Sequence, residues 1–534
     1  MGARIQRARR ALQVTRVARN RRLLRVLREL GVAGDRPATR EGAVAFRRAL
    51  EQLGTTYLKL GQLLSSRPDL LPDVYIEELG RLVDEVPPFP FAEVERIIRE
   101  ELGAEALARL DPKPLAAASI AQIHRALLPD GRDVVVKVRR PRIVEQVELD
   151  LDVIRSMVGF LEEHSETAQL LQLRALAEEL EVHLRSELDL VEEAANTELI
   201  AGAVEEYDDI IVPQVIRPLV TERVLVLERI EGEKVTSEHG LPAEPAGRLA
   251  RNFFRSYIRQ VTLGGIYHAD PHRGNVILTE DGRLALLDFG LLGRLDDETR
   301  TKLSLLLLAI ARNRAEDVAS VLLSLSLTNF DSDEPAFVHE LRRKLPRYQR
   351  RTLAGIKAGE ALADLQRLCL SNGIRLPASF ALVGKTLSQA DSIARTLDPD
   401  LDPIALIEEE SLELILTEAE ARLEPDRFFG YLLTQLDALS RLPRRLGQLA
   451  DRLETGTLKV GVSPTGLDDT EHMLRSVANR VGAAIIVVGL LVSSALMARV
   501  SHVVALIGFC LSAVVGRCEP DEEVLRFGRD EAGQ

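Results

Sequence analysis

The stretch HADPHRGN, His268 to Asn275, followed by LLDFG, Leu286 to Gly290, decides how this chain is read. Asp270 precedes Asn275 by five positions, and Asp288 follows Asn275 by thirteen. These are the residue types that phosphoryl transfer requires. Asp270 can orient or deprotonate an attacking group, while Asn275 and Asp288 offer hard oxygen ligands to a Mg²⁺ that bridges nucleotide phosphates. Either stretch alone also makes an ordinary turn between strands. The pair at this spacing carries the signal.

The spacing is that of the catalytic and metal-binding loops of protein kinases. Such a site also needs a lysine on a strand and a glutamate on a helix. DVVVKVRRP places Lys137 on an apolar strand, where an unpaired ammonium would be costly, and LDLVEEAAN supplies Glu193 as its helical partner. Taken singly, Lys137 also reads as an edge-strand lysine and Glu193 as a solvated helix charge. The order Lys137, Glu193, Asp270, Asn275, Asp288 points to a site for ATP and Mg²⁺. No GxGxxG precedes Lys137; LAAASIAQIH stands there, so Ala116, Ala117, Ala118 and Ser119 replace the glycines and predict a stiffer phosphate loop. Glu228 and Ile230, at the end of RVLVLERIEG, complete the candidate ATP-binding residues. After Gly290 the chain runs through LLGRLDDETR directly into the helical TKLSLLLLAI, leaving no activation segment and arguing against a peptide-substrate platform.

Working outward, residues 41–110 show helical spacing, as in YLKLGQLLSS and VYIEELGRLV, cut by Pro87, Pro88 and Pro90. ASIAQIHRALLPDGRDVVVKV, Ala118 to Val138, reads as a hairpin turning at PDG. Helices resume from Ile143 to Leu199, a strand pair is expected within Val212 to Gly232, and helices dominate from Pro245 to Leu453. A small strand-bearing lobe ahead of a large helical lobe is an α+β, bilobal, kinase-like order. The expected divisions are a basic amphipathic segment (1–36), a helical extension (37–110), the small lobe (111–235), the helical lobe (236–455), a linker (456–479), two transmembrane helices (480–517) and an acidic tail (518–534).

With 534 residues, 46% of them apolar, the chain can bury more than one core. A net charge of −13 argues against nucleic acid as a partner. Cys369, Cys510 and Cys518 have neither metal-ligand nor disulfide spacing, which fits a reducing compartment. Ten Arg and one acidic residue crowd the first thirty positions. As a basic amphipathic helix this head suits an anionic membrane surface; the plain alternative is a solvated, frayed terminus. Near the other end, Val481 to Ala498 carries no charge and approaches the roughly 20 residues of a spanning helix, and Val503 to Gly516 forms a second apolar run. If both runs span, a hairpin flanked by Arg475, Arg480 and Arg517 places the chain in the inner membrane of the cell, with the kinase-like body on the cytoplasmic side. The shorter second run also reads as a re-entrant segment, and the plain alternative for the pair is a buried helical hairpin in a soluble core.

The motifs and their departures together resemble the ABC1, AarF or UbiB family of atypical kinases, whose mitochondrial members are the Coq8 proteins. The resemblance covers roughly Gly42 to Ile310. The family's KxGQ motif matches Lys59, Gly61 and Gln62, its alanine-rich loop Ala116 to Ser119, its ExD motif Glu187 and Asp189, and its HxDPHPGN motif His268 to Asn275, with Arg273 where the family has Pro. The resemblance implies that KxGQ helices fold over the active site, with Lys59, Gly61, Gln62, Glu187 and Asp189 as regulatory residues. It also implies a slow ATPase or kinase supporting ubiquinone or another isoprenoid-quinone biosynthesis, with a polyprenylated quinone precursor and quinone-biosynthesis enzymes as partners. The alternatives are a nucleotide-gated scaffold without catalysis and a protein kinase acting in trans.

Overall fold

A computed structural model describes residues 2–423 apart from 21–25, 27–28, 30–36, 66, 68–69, 83–85, 165–172, 237–239, 327–332 and 347–357. The chain opens with helices α1 (Gly2–Asn20), α2 (Arg40–Leu53), α3 (Thr55–Ser65), α4 (Asp73–Leu79) and α5 (Phe91–Leu102). Strands β1 (Arg109–Leu110), β2 (Ala116–Ala117), β3 (Ala121–Leu127) and β4 (Asp133–Arg139) follow, then helices α6 (Ile143–His164), α7 (Leu173–Leu188) and α8 (Leu190–Ala203). Next come β5 (Ile210–Ile211), β6 (Val224–Glu228), β7 (Glu233–Lys234), α9 (Ala243–Arg259), β8 (Ile266–His268), β9 (Val276–Leu278), β10 (Leu284–Leu286) and β11 (Leu292–Arg294). Helices α10 (Asp297–Ala311), α11 (Ala315–Leu325), α12 (Glu334–Lys344), α13 (Ala358–Ser371), α14 (Ala378–Leu397) and α15 (Pro403–Leu423) end the described chain.

The small lobe is an antiparallel sheet in the order β1-β3-β4-β6, with β2 paired to β3. Its register follows from alternation: in β4, Val134, Val136 and Val138 are buried on one face, beside Val94, Ile97 and Ile98 of α5. Each valine removed from water contributes about 1.5 kcal/mol or more. Because the side-chain period is two, Lys137 is sent to the opposite face. The hairpin turns at Gly131, whose φ of +90° needs glycine.

The large lobe buries Phe253, Phe254 and Tyr257 of α9 in one core with residues of α10, α11, α13, α14 and α15, α9 packing directly on α14 and α15. On it lie β5-β10-β9-β7, with β5 parallel to β10, and the pair β8-β11. Here β7 (Glu233–Lys234) pairs with β9, so the chain has already joined the large lobe by that point.

The N-terminal helices form a third core with α6 and α7. Helix α1 is docked on it: Val14 and Val17 are buried, and Arg10 pairs with the fully buried Asp150 at 2.5 Å. Leu12 of the same helix stays exposed.

The inner-membrane placement expected from the sequence is corrected. Among the described residues no helix is long and apolar enough to cross a membrane. Helices α2, α5 and α9 are strongly amphipathic, with apolar stripes committed to internal cores and charges on the opposite face. The two runs expected to span, within 480–517, lie outside the described residues.

Candidate active site

A cleft of about 1790 Å³ opens between the sheet of the small lobe and strands β8 to β10 of the large one. Its wall includes Lys137, Glu193, Asp270, Asn275 and Asp288, brought together from four segments. Lys59, Gln62, Ala116, Ala117, Ala118, Glu187, Glu228 and Ile230 also line it. Gly61, Ser119 and Asp189 do not; Gly61 and Ser119 are packed in the interior and Asp189 caps a helix.

Lys137 projects from β4 and donates to Glu193 Oε1 of α8 at 2.5 Å, while Asp288 Oδ1 stands 3.9 Å away. Burial favours the neutral amine, but Asp288, Glu193 and Glu187 outweigh it and keep Lys137 charged. The Lys137 ammonium in turn holds Asp288 down at about 2 against burial, helped by the Gly290 N–H, which donates at 3.1 Å, and by Lys59. Asp288 is therefore a carboxylate at neutral pH. Helix α8 also grips the same loop directly: Asn196, one turn beyond Glu193, donates to the Phe289 carbonyl at 3.2 Å.

Asp189 explains why α8 starts where it does. Its Oδ1 accepts from the backbone N–H groups of Val191 and Glu192 at 2.9 and 3.1 Å, an N-cap. Glu187, two residues earlier, receives Lys59 of α3 at 2.8 Å. One short motif thus ties α3 over the cleft and sets the start of the helix that holds Lys137. Gly61 lets α3 pack closely, since a Cβ there would lie 2.4 Å from Leu82 and 2.8 Å from Leu50.

The alanine-rich loop is a paired element. Ala116 and Ala117 form β2 against β3. Beyond them, the Ala117 carbonyl accepts from Val86 N–H at 3.2 Å, that of Ala118 from Arg140 Nε at 2.9 Å, and that of Ser119 from Thr55 Oγ1 at 3.2 Å. The Ser119 side chain is fully buried. With its carbonyls held from three directions the loop is stiff for a reason beyond the absence of glycine.

In the HADPHRGN loop, His268 is buried between Tyr257 and Phe289, with ring centroids at 6.3 and 5.3 Å. Burial pushes its imidazole down to about 4, so the ring is neutral at physiological pH. Asp270 Oδ1 accepts from Gln389 at 3.1 Å and lies 3.0 Å from Lys385 Nζ, both on α14. Thr386 Oγ1 of the same helix donates to the Ala269 carbonyl at 3.1 Å. Arg273 turns away from the cleft and donates to Thr396 Oγ1 at 2.8 Å and Ser392 Oγ at 3.2 Å, so it fastens the loop to α14.

Those α14 partners were missed by motif reading. Their trace in the sequence is a polar stripe, Lys385, Gln389, Ser392 and Thr396, at helical spacing along a helix whose Val383, Leu387, Ala390, Ile393 and Ala394 are buried.

The donor set suits Mg²⁺ held largely by substrate phosphates. The Leu287 N–H donates to the Asn275 carbonyl at 2.9 Å, which joins the backbones of the two loops, and both Asn275 and the ionised Asp288 line the cleft. Among the described residues no three His, Cys, Asp or Glu side chains converge as a metal cage.

Comparison with known proteins agrees with this geometry. Residues 81–322 match the ABC1 atypical kinase-like domain, 341–402 the UbiB helical domain, and 465–518 the ABC1/UbiB kinase-like C-terminal domain. A probable protein kinase UbiB of Xanthomonas campestris pv. campestris is 32% identical, with 86% of each chain covered. The chloroplastic protein ACTIVITY OF BC1 COMPLEX KINASE 8 of Arabidopsis thaliana is 29% identical over 81% of this chain and 63% of its own. An uncharacterised protein from the hydrogenase 1 5′ region of Clostridium pasteurianum is 27% identical over 88% and 91%. With its lobes, its cleft and its motifs in this arrangement, the chain belongs to the ABC1/UbiB family of atypical kinase-like proteins.

Proposed function

We propose that the protein binds MgATP in this cleft and passes the γ-phosphoryl group to water or to an acceptor in isoprenoid-quinone biosynthesis. The turnover would serve to present a polyprenylated precursor to the enzymes that modify it. The observation that carries the reading is the convergence of Lys137, Glu193, Asp270, Asn275 and Asp288 on one cleft wall.

Each residue has a task that its surroundings support. Glu193 and Asn196 anchor α8 to the lysine strand and to the Phe289 carbonyl, which fixes the distance across the cleft. Lys137, kept charged, suits the nucleotide phosphates. Asp270, open to the cleft on one side, suits the orientation of the attacking oxygen. Asn275 and Asp288 are the residues that would hold Mg²⁺, which when bound neutralises charge on the phosphates. Ala116 to Ala118 border the cleft through a carbonyl-tethered backbone and offer a preformed edge for the nucleotide.

A second reading, a nucleotide-gated scaffold without turnover, is favoured by the Lys59–Glu187 ion pair, which closes α3 over the face that a protein acceptor would approach. Phosphate release from labelled ATP separates the two. Wild type is expected to release phosphate and Asp288→Asn to lose both release and stabilisation by MgATP. At a nucleotide concentration 100 times Kd that stabilisation is about 2.7 kcal/mol, read as a rise in melting temperature. MgATP stabilisation without release in wild type would favour the scaffold, and an unchanged rise in Asp288→Asn would remove the metal assignment.

A further inference from the structure

We infer that Lys385 of α14 is a positioning residue for phosphoryl transfer, acting through Asp270 and together with Gln389. The inference rests on the ATP reading above and assigns a reaction role to the helical domain that follows the kinase-like core.

The geometry is specific. Lys385 Nζ and Gln389 Nε2 approach the same oxygen, Asp270 Oδ1, at 3.0 and 3.1 Å, and among the described residues no group donates to Oδ2. One turn of α14 therefore clamps one edge of the carboxylate and leaves the other to the cleft, which Asp270, Lys385 and Gln389 all line. Thr386, between them, fixes the backbone one residue ahead of Asp270. Of the three other lysines of the wall, Lys137 is engaged with Glu193 and Lys59 with Glu187, and Lys234 lies on β7; the lysine paired with Asp270 is the one supplied by α14. Arg273, fastened to Ser392 and Thr396 further along the helix, extends the same contact to the rest of the loop.

In the transfer, a water oxygen bonds to the γ-phosphorus as the bond from phosphorus to the β–γ bridging oxygen breaks. ADP leaves with that electron pair. The proton shed by the water passes to Asp270 Oδ2 and from there to the phosphate product. A clamped carboxylate holds Oδ2 at a constant orientation toward the water, and the cation on Oδ1 keeps the group ionised and ready to accept. Burial works to raise the Asp270 carboxyl, but Lys385, the neighbouring His272 and Gln389 outweigh it and hold the group below the usual carboxylate range. Tyr257 of α9 and His268, which also face Asp270, are neutral at working pH, the one raised and the other lowered by burial. Lys385 is thus the principal charge that sets this ionisation.

The test is ATP hydrolysis by the full chain, comparing wild type, Lys385→Met, Lys385→Arg, Asp270→Asn and the double variant Lys385→Met/Asp270→Asn. For Lys385→Met we expect kcat to fall about 100-fold with KM for ATP within about twofold, as for a misplaced reacting group. The acid limb of its kcat profile should move to higher pH, because Asp270 protonates sooner without the cation. Lys385→Arg should restore the limb, and adding Lys385→Met to Asp270→Asn should cost nothing further, since the lysine acts through that carboxylate. Retained melting temperature and MgATP stabilisation in Lys385→Met confirm that the fold and the nucleotide site persist. Asp270-dependent turnover in wild type with an unshifted limb, or with full additivity in the double variant, overturns the inference alone. Absence of Asp270-dependent turnover in wild type overturns the ATPase reading and the inference with it.

Discussion

His268 shows how a single buried group links the site to stability. The ring makes no cleft chemistry of its own; it packs between Tyr257 and Phe289 and positions the backbone entering Asp270. Its folded-state pKa of about 4 lies below the ordinary value, so the unfolded chain binds the proton first as pH falls. Stability is therefore full above about pH 6.5 and declines toward pH 4. The contribution of this one group between pH 7 and pH 5 is about 2 kcal/mol. Denaturant unfolding at the two pH values should show that loss in wild type and a flatter dependence in His268→Gln. An equal slope in both would mean that the ring is not held neutral.

At the scale of elements, α8 and α14 do for the cleft what loops do in less constrained sites. Helix α8 starts at a side-chain cap, carries Glu193 to Lys137 and Asn196 to Phe289, and leaves the three contacts in one rigid register. Asp189→Ala should remove about 1 kcal/mol of stability through the lost cap. Because Glu193 sits in the first turn, the same change should also weaken MgATP binding several-fold, measured by titration calorimetry. A stability loss with unchanged nucleotide affinity would confine Asp189 to helix formation. The alanine-rich loop works by a similar principle, since its stiffness comes from Val86, Arg140 and Thr55 holding consecutive carbonyls.

At the scale of the molecule, the N-terminal helices, the two lobes and α14 enclose the cleft from different directions, and buried ion pairs join them. Asp150 is the junction of the N-terminal part: it takes Arg10 from α1 at 2.5 Å and the Thr56 hydroxyl from α3 at 2.9 Å, while Arg10 also reaches the Leu53 carbonyl at 2.7 Å and lies 5.7 Å from the centre of the Tyr57 ring. Breaking a buried pair from one side strands the other charge, which costs about 3 kcal/mol or more. Arg10→Ala should lower the melting temperature and speed amide exchange across residues 55–65, the helix bearing Lys59 and Gln62. Faster exchange confined to α1 would show that α3 does not depend on it.

The sequence by itself determined the elements whose signals are local. Alternating valines set β4 and send Lys137 to the cleft, PDG sets the hairpin turn, and the fixed separations of Asp270, Asn275 and Asp288 mark the loops of a kinase-like lobe. It left α1 and Asp189 ambiguous, because a basic amphipathic stripe and an acidic pair look the same whether they face solvent or a partner. Only the tertiary structure decided that Arg10 is spent on Asp150, 140 residues away, and that Asp270 is clamped by Gln389, 119 residues away, with Lys385 beside it. The physical reason is reach. Side-chain periodicity reports which face of an element is buried, whereas the choice of partner across such distances is made by packing of whole helices, in which no short run of residues carries the address.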